Sequence, residues 1–345
     1  MGGIQVIVNR LYRDLDKKYQ QEVLTTRPIK AERPFVHDHI IVAPSILEIR
    51  SLPIAPTIIS KLWKKLKSID LACIHYPFPL ADIAIAVYPF KLPKIIVYWH
   101  SEIVSQKYLK IILRPFTNRM LELADKVIIS SPEMLKYSSL LEKHHDKTVV
   151  IPFGIDKPSK NNHSQSNSVE LLAIGRHVPY KGFESLIRAI STTDYHLTIV
   201  GNGPLLVEHR KLVNSLDITD QVKFISNAGN HQLKQLLASC KALVMPSIMP
   251  SEAFGLVQIE AMSYGKPIIN TNLKSGVPWV ARHMKEALTV SPGNIGELRN
   301  AIQQLMSDQT LYSQLCQGAL IRHKDRFSTQ KFLASTEDCY SQILD

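Results

Sequence analysis

The stretch KALVMPSIMPSEAFGLVQIEAMSYGKPIINT, residues 241–271, decides the fold. Residues 242–245 form a short apolar run that ends at a proline, which predicts a buried strand. Residues 254–264 carry apolar side chains at helical spacing, and Gly265, with a proline two residues later, ends that helix. Residues 267–270 begin a second strand. This strand–loop–helix–strand unit predicts a parallel sheet, in which ligands bind beyond the carboxyl ends of the strands.

Two acidic residues lie in this unit, one in the loop and one in the helix. Glu252 and Glu260 have seven residues between them, and Gly255 stands at the predicted helix start. Unpaired amides and the helix dipole attract an anion there, so a diphosphate can rest on the amides of Gly255 and Leu256. A carboxylate on either side can then bind sugar hydroxyls. The alternative interpretation is that both glutamates are simply solvated and that the glycine only turns the chain.

The residues around this pair follow a longer pattern. The run PSIMPSEAFGLVQIEAMSYGKPII resembles, without a gap, the signature of the nucleotide-sugar glycosyltransferases of family 4. The resemblance implies a retaining glycosyltransferase with the α/β GT-B fold. In that fold two Rossmann-like domains face a central cleft, and the C-terminal helix crosses back to the first domain. It also implies donor contacts from Glu252, Phe254, Gly255, Leu256 and Glu260.

Other segments of the second half continue the resemblance. GRHVPYKG, residues 175–182, is similar to the family's GRxxxxKG element, with four residues between Arg176 and Lys181. Two cations that converge on a diphosphate neutralise the leaving group as the sugar bond breaks, whereas an exposed Arg and Lys without that role are the alternative. GNG at 201–203 matches a glycine loop of the family, and residues 226–228 match the loop beside the nucleobase. The resemblance therefore implies donor binding by Gly175, Arg176, Lys181, Gly201 and Gly203, with Arg176, Lys181 and Glu252 in the catalytic group.

The first half places two histidines at the ends of predicted strands. His75 follows DLACI and His100 follows KIIVYW, so both lie at carboxyl ends, where parallel sheets carry their sites. A lone histidine is more often structural. VYWHSEIVSQK, however, resembles the family segment in which a histidine reaches the transferred sugar, and the resemblance adds His100 to the catalytic group. Ser101 and Glu102 are then candidates for acceptor binding.

The chain begins with GGIQVIVNRLYRDL, a glycine pair that leads into a helical pattern. In the family this turn follows the first strand and approaches the donor, so Gly2 and Gly3 are candidate donor contacts. No strand precedes the turn here, and we expect the first domain to lack its first strand because the true start lies upstream or the gene is a fragment. The expected organisation is an acceptor-side domain at 1–153, a linker at 154–168, a donor domain at 169–325 and a crossover helix at 326–345.

Composition bounds the class of protein. A chain of 345 residues with 45% hydrophobic and 21% charged residues suffices for two globular domains. We find no signal peptide and no apolar run near the roughly 20 residues that span a bilayer. The four cysteines are far apart and form no CxxC pair, so neither a zinc site nor a disulfide framework is indicated. Reduced thiols predict a cytoplasmic protein.

The charge of the chain points to an anionic partner. The net charge is +11, and roughly +8 of it falls before residue 150. The sequence has no nucleic-acid-binding signature, so anionic lipid or a phosphorylated acceptor fits better than nucleic acid. Residues 58–68, with Trp63, and residues 104–120 are basic and amphipathic, which predicts peripheral contact with the inner face of the plasma membrane. Ordinary helices with their apolar stripe in the core are the alternative.

These features together predict a hexosyltransferase that retains anomeric configuration. Its donor is a nucleotide-diphosphate sugar, and its acceptor is lipid-linked or a polysaccharide. WHSEIV and HYPFPLAD resemble members that build O-antigen, lipopolysaccharide or capsule. We expect no cofactor and no metal, because two cations and a helix N-terminus supply the compensating charge. A catalytically impaired fragment and a non-catalytic nucleotide-sugar-binding protein are the alternatives.

Overall fold

The chain forms two compact units, each with a parallel sheet. The computed structural model describes residues 3–15, 18–27, 39–49, 52–102, 107–158 and 169–345. Unit 1 takes the described residues within 1–130, 138–151 and 333–345, and unit 2 takes those within 131–137 and 152–332. Gly2, residues 104–106 and residues 159–168 of the predicted linker lie outside the described residues.

Unit 1 begins with helix α1, Gly3–Leu15, whose buried face is formed by Ile7, Leu11 and Leu15. The next elements are β1 Val23–Arg27, β2 Ile40–Pro44, β3 Leu47–Ile49, β4 Leu52–Ile54, α2 Thr57–Leu66, β5 Leu71–Tyr76, α3 Pro79–Ala86, β6 Lys94–Trp99, α4 Lys107–Leu123 and β7 Lys126–Ile129. Helix α5, Pro132–Tyr137, belongs to unit 2, and the chain then returns to unit 1 with α6 Ser139–Glu142 and β8 Thr148–Val150.

The strands of unit 1 form separate small sheets. A four-stranded parallel sheet has the order β5-β6-β7-β8, and β1 pairs with β2 in a second parallel sheet. Strands β3 and β4 form an antiparallel hairpin. In β6 only Lys94 is exposed and the next five residues are buried, as expected for a strand that is covered on both faces. His75 and His100 thus stand at neighbouring carboxyl ends of the four-stranded sheet.

Helix α2 uses its apolar stripe inside unit 1. Three side chains of the stripe, Ile58, Leu62 and Leu66, are buried. The Trp63 indole Nε1 donates to the carbonyl oxygen of Ala84 at 2.9 Å, and the Lys61 ammonium donates to the Val42 carbonyl at 2.6 Å. Residues 58–66 therefore belong to an ordinary helix whose stripe lies in the core, which was the alternative to the lipid contact predicted for residues 58–68.

Unit 2 is a doubly wound domain. In chain order its elements are β9 Val169–Ile174, α7 Phe183–Ile190, β10 Leu197–Val200, α8 Leu206–Ser215, β11 Val222–Ile225, α9 Asn230–Ser239, β12 Cys240–Val244, α10 Leu256–Ser263, β13 Ile268–Thr271, α11 Val277–Val280, β14 Ala287–Val290, α12 Ile295–Ser307 and α13 Gln309–Arg326. The six strands are parallel in the order β11-β10-β9-β12-β13-β14. The order reverses between β9 and β12, and the carboxyl ends of strands at such a reversal are where ligands bind.

The last helix, α14 Thr329–Leu344, is shared by both units. Its first turn lies in unit 2, where Phe332 packs edge-on against Phe153 with ring centroids 6.0 Å apart. The remainder lies in unit 1, where the Tyr340 hydroxyl is 2.8 Å from the Tyr98 hydroxyl and accepts a hydrogen bond from the Cys73 thiol at 3.3 Å. One continuous helix therefore carries anchoring side chains for two separate cores.

The local predictions for residues 241–271 are confirmed. The apolar run is β12, the predicted helix is α10, and the second strand is β13. Gly265 has a φ of +67°, the left-handed conformation that ends a helix. The boundaries shift by one or two residues, because the loop up to Gly255 delays the start of the helix.

Asp82 is a buried acid on α3, packed against α4. Its side chain is fully buried, and its Oδ2 accepts a hydrogen bond from the Thr117 hydroxyl at 2.8 Å. Its Oδ1 has no hydrogen-bond partner among the described residues. Burial raises the pKa of Asp82 from 3.8 to about 7, since desolvation of the carboxylate outweighs the bond from Thr117.

The variant Asp82→Asn should unfold at a higher temperature than the wild type at about pH 8 and at a similar temperature at about pH 4. The unfolded chain releases this proton near pH 3.8 and the folded protein only near pH 7, so Asp82 lowers stability increasingly as the pH rises between those values. Thermal unfolding of both proteins at the two pH values measures this. Asp125, which accepts a hydrogen bond from the Ile95 amide, provides the control variant Asp125→Asn. An equal gain at both pH values would contradict the assignment.

Candidate functional site

The reversal point of the unit 2 sheet brings two loops together. The loop after β9 carries Gly175, Arg176 and Lys181, and the loop after β12 carries Ser247 and Glu252. The Ile248 amide donates to the Tyr180 carbonyl oxygen at 2.8 Å, which ties the second loop to the first. Side chains separated by about 70 positions in the sequence are thereby held at one edge of the sheet.

Lys181 and Glu252 form an ion pair at this edge. The Lys181 ammonium lies 2.5 Å from Glu252 Oε2, and the two side chains are 13% and 11% exposed. The Ser247 hydroxyl donates to the same carboxylate oxygen at 3.2 Å. Gly175 makes room for the lysine, because a Cβ there would lie 3.0 Å from Lys181 Cε. A shielded cation and anion therefore stand side by side, with the exposed Arg176 next to Gly175.

The glycine loop after β10 packs on the loop after β9. The Gly201 backbone lies against the Gly175 carbonyl, and a Cβ on Gly203 would approach the His177 carbonyl oxygen to 2.6 Å. The His177 amide donates to the Asn202 carbonyl at 2.9 Å. A side chain at either glycine would separate the two loops, so the predicted donor glycines are required here for close backbone approach.

A pair of buried histidines lies behind these loops. His177 Nδ1 and His209 Nδ1 are 2.7 Å apart, and both residues are buried. The Nε2 of His177 is also buried, with no hydrogen-bond partner in the described part of the chain. Burial lowers the pKa of His177 to about 4, with a further contribution from His209 and Arg210, and burial also lowers the pKa of His209. The pair is therefore neutral near pH 7 and shares one hydrogen bond.

The start of α10 is fixed by a buried amide network. Gly255 precedes the helix with a φ of +73°, where a side chain would meet Met245 and Gln258. The Gln258 amide donates to the Phe254 carbonyl oxygen at 3.3 Å. Its Oε1 accepts a hydrogen bond from Asn270 Nδ2 at 2.8 Å, and the Thr289 hydroxyl donates to Asn270 Oδ1 at 2.7 Å. The network joins α10 to β13 and β14, and so holds the helix N-terminus in place.

The predicted donor contacts around the start of α10 are not equally accessible to a ligand. The Phe254 ring is 4% exposed and packs edge-on against Phe153 and Phe327, with centroids 5.3 and 6.2 Å away. Its side chain is part of an aromatic core, so only its backbone is available to a ligand. Leu256 is the first helical residue of α10, and Glu260 is half-buried one helical turn later.

The remaining predicted residues lie in unit 1. His100 follows β6, is 8% exposed, and its Nε2 lies 2.8 Å from His75 Nδ1. Glu102 accepts a hydrogen bond from the Ser138 hydroxyl at 2.5 Å. Gly3 is the first residue of α1, in the same unit.

The structure therefore brings Lys181 and Glu252 into contact and places Gly175, Gly201 and Gly203 in touching loops. Sequence reasoning missed Ser247, His209 and Gln258. Gln258 did carry a signal, because it is a polar residue within the apolar run LVQIEAM. Ser247 lies in the same loop as Glu252, five residues before it, but a serine in a loop does not by itself indicate a bond to a carboxylate. His209 meets His177 through a contact 32 residues away in sequence, for which its own segment carries no pattern.

Comparison with known proteins places the chain in a family. Residues 155–320 match the family described as "Glycosyl transferases group 1", and residues 1–157 match "Glycosyltransferase Family 4". The chain is a family-4 glycosyltransferase. It is 26% identical to the O-antigen chain mannosyltransferase C of Escherichia coli over 100% of this chain and 95% of that protein. It is 29% identical to the D-rhamnosyltransferase WbpZ of Pseudomonas aeruginosa over 75% of this chain and 70% of that one.

Solved structures share the fold of this glycosyltransferase. HepE of Anabaena in complex with UDP superimposes with a TM-score of 0.80 at 20% identity, over 99% of this chain and 96% of that one. Sucrose-phosphate synthase of Thermosynechococcus elongatus gives 0.80 at 21% identity, over 99% and 93% of the two chains. The predicted GT-B fold is confirmed.

The histidine pair should make this glycosyltransferase sensitive to acid. The unfolded chain protonates both imidazoles near pH 6.5, whereas the folded protein protonates His177 only near pH 4 and burial also lowers the pKa of His209, so the free energy of unfolding should fall as the pH drops below about 6.5. The double variant His177→Leu/His209→Leu should show a shallower decrease in melting temperature between about pH 7 and pH 5. His196→Ala, at an exposed histidine, is the control. Equal slopes in the double variant and the wild type would show that the pair does not carry the effect.

Proposed function

We propose that this enzyme transfers a hexosyl unit from a nucleotide-diphosphate sugar to a hydroxyl of a lipid-linked or polysaccharide acceptor, with retention of configuration, in the assembly of a bacterial surface glycan. The observation that carries the proposal is the Lys181–Glu252 pair at the reversal point of the unit 2 sheet. Relatives named as an O-antigen chain mannosyltransferase and a D-rhamnosyltransferase support the hexose and the pathway.

The donor site uses opposite charges for opposite ends of the donor. Arg176 and Lys181 would bind the diphosphate together with the amides at Gly255 and Leu256, and so stabilise the negative charge that grows as the sugar leaves. Glu252 would hold sugar hydroxyls and offset positive charge on the sugar ring. Glu260 would bind the ribose. Gly201 and Gly203, with the 226–228 loop, would form the wall near the nucleobase.

Lys181 can serve the diphosphate without releasing Glu252. An ammonium has three N–H donors, and the carboxylate of Glu252 occupies one of them in the structure. The remaining donors can reach phosphate oxygens, while the second carboxylate oxygen can accept from a sugar hydroxyl. The ion pair therefore fixes the position of the cation before the donor arrives, which reduces the cost of ordering a flexible lysine.

The transfer step forms and breaks bonds on one face of the sugar. The bond from the anomeric carbon to the diphosphate oxygen breaks, the acceptor oxygen bonds to the same carbon, and its proton passes to an oxygen of the leaving diphosphate. His100 is assigned the contact with the transferred sugar, and Ser101 and Glu102 the contact with the acceptor. Residues 1–153 would act as the acceptor side and 169–325 as the donor side. Since nucleotide sugars are made in the cytoplasm, the reaction would occur there.

Nucleotide titration and turnover test the function. We expect the purified protein to bind one of GDP, UDP or ADP selectively and to release sugar slowly to water from the matching nucleotide sugar, with GDP-mannose the first donor to try. Folded protein that binds none of the three would contradict the proposal and favour a non-catalytic protein.

The same assay tests the site. Lys181→Ala and Glu252→Ala should each lower turnover by about 100-fold or more, because each removes a charge that stabilises the transition state. Glu184→Ala, which removes an exposed carboxylate paired with Arg188 on α7, is the matched control and should retain activity. Near-normal turnover in either site variant would overturn the site assignment.

We further propose that α4 contacts an anionic membrane surface at the inner face of the plasma membrane. Ile111 and Ile112 on this helix are 68% and 66% exposed, next to the exposed Arg114. Adjacent exposed isoleucines beside a cation fit a lipid headgroup region, and the positive charge of residues 1–150 adds long-range attraction. None of the described helices is long and apolar enough to cross a bilayer.

The double variant Ile111→Ser/Ile112→Ser should bind vesicles of anionic phospholipid about tenfold more weakly than the wild type or worse, because burying one isoleucine contributes roughly 1.5–3 kcal/mol. Co-sedimentation with vesicles measures the binding. Leu320→Ser/Ile321→Ser removes a second exposed apolar pair, on α13, and should leave binding unchanged. Equal weakening by both double variants would show that α4 has no special role.

A further inference from the structure

His75 and His100 are held together by the register of the unit 1 sheet. His75 lies opposite Tyr98 in the pairing of β5 with β6, and the His100 amide donates to the Tyr76 carbonyl oxygen at 3.1 Å, which extends the ladder beyond β6. The two imidazoles are nearly parallel, with 13° between their planes and 2.8 Å between His75 Nδ1 and His100 Nε2. The His75 ring also stacks on Tyr98, with centroids 4.7 Å apart.

The pair shares a single proton between two facing nitrogens. Burial lowers the pKa of His75 to about 4 and lowers that of His100 well below 6.5, so both rings are neutral near pH 7. The neighbouring Tyr98, Tyr340 and Cys73 stay neutral as well, because burial raises the pKa of each. Glu102 carries a carboxylate two residues after His100 in the sequence.

A hydrogen bond between two neutral imidazoles requires one N–H donor and one bare nitrogen. If His75 Nδ1 carries the proton, His100 must carry its own on Nδ1. If His75 Nδ1 is bare, His100 Nε2 donates and His100 Nδ1 becomes an acceptor. The protonation of His75 therefore dictates the tautomer of His100. A sugar hydroxyl that contacts His100 then finds either a donor or an acceptor at that nitrogen, not a mixture of both.

We propose that His75 is a positioning residue, which fixes the tautomer and ring orientation of His100 for its contact with the transferred sugar. The inference rests on the proposed function, since it gives His100 that contact. His75 itself need not touch the substrate. Its stacking on Tyr98 holds the His75 ring, and the shared hydrogen bond passes that constraint to His100.

The tautomer is tested directly in protein labelled with ¹⁵N-histidine. Nitrogen shifts and two-bond couplings distinguish a ring protonated on Nδ1 from one protonated on Nε2. His100, assigned by its loss in His100→Phe, should show a single tautomer in the wild type near pH 7.5 and a mixture of tautomers in His75→Phe. The phenyl ring preserves the stack on Tyr98 and removes only the nitrogens. An unchanged His100 spectrum in His75→Phe would overturn the proposal.

Kinetics give a second readout that a purely structural role would not produce. His75→Phe should lower kcat by about 10- to 100-fold, on the scale of the loss when the partner that orients a metal-bound histidine is removed, while KM for the donor stays near the wild-type value. His75→Gln, which restores a hydrogen-bonding group, should recover part of the loss at equal thermal stability. Wild-type kcat in His75→Phe would contradict the role.

The two proposals fail in different ways. A wild-type protein that turns over no nucleotide sugar would refute the proposed function, and the nitrogen spectra would still decide whether His75 sets the tautomer of His100. A wild type that is active, with His75→Phe equally active, would refute the positioning role alone.

Discussion

Parallel pairing of β9 with β12 is the constraint on which the donor site depends. These strands are neighbours in the sheet although two other strands separate them in the sequence. Because the pair is parallel, both carboxyl ends reach the same edge, and the loops that follow must share that edge. Lys181 and Glu252 meet only for this reason. The buried apolar side chains that hold these two strands side by side therefore also bring the lysine within hydrogen-bond distance of the glutamate.

Several buried polar side chains in both units form hydrogen-bonded pairs. A neutral imidazole can donate at one nitrogen and accept at the other, so it pairs with a second imidazole at no cost in charge. His75 with His100 and His177 with His209 use this property, and Gln258 with Asn270 uses the equivalent property of amides. Such pairs restrict the position of a loop more strongly than apolar contacts do. If the loop shifted, one polar group of the pair would be left without a hydrogen bond in a low-dielectric interior.

Local patterns predicted the elements of unit 2 well, since buried parallel strands are short apolar runs and Gly265 marks a helix end. Gly175, Gly201 and Gly203 were predicted from the resemblance to the family, and the close packing at each of them was seen only in the structure. The side-chain partners were not predictable. Nothing local tells that Trp63 donates to Ala84 inside unit 1, or that the Phe254 ring joins an aromatic core. These contacts depend on which other segment packs against the residue in the folded protein. The spacing of residues within one segment does not show this.

Helix α14 has a consequence for how the two units unfold. Its first turn belongs to one core and the rest to the other, with no loop between them. A helix loses hydrogen bonds along its axis when one end melts, so disorder in either core weakens the anchoring of the helix in the other. One of the points where the chain passes from one unit to the other lies within this helix, between residues 332 and 333, so a chain break there would divide the helical turns between the two units. We therefore expect unfolding of either unit to weaken this helix in the other unit.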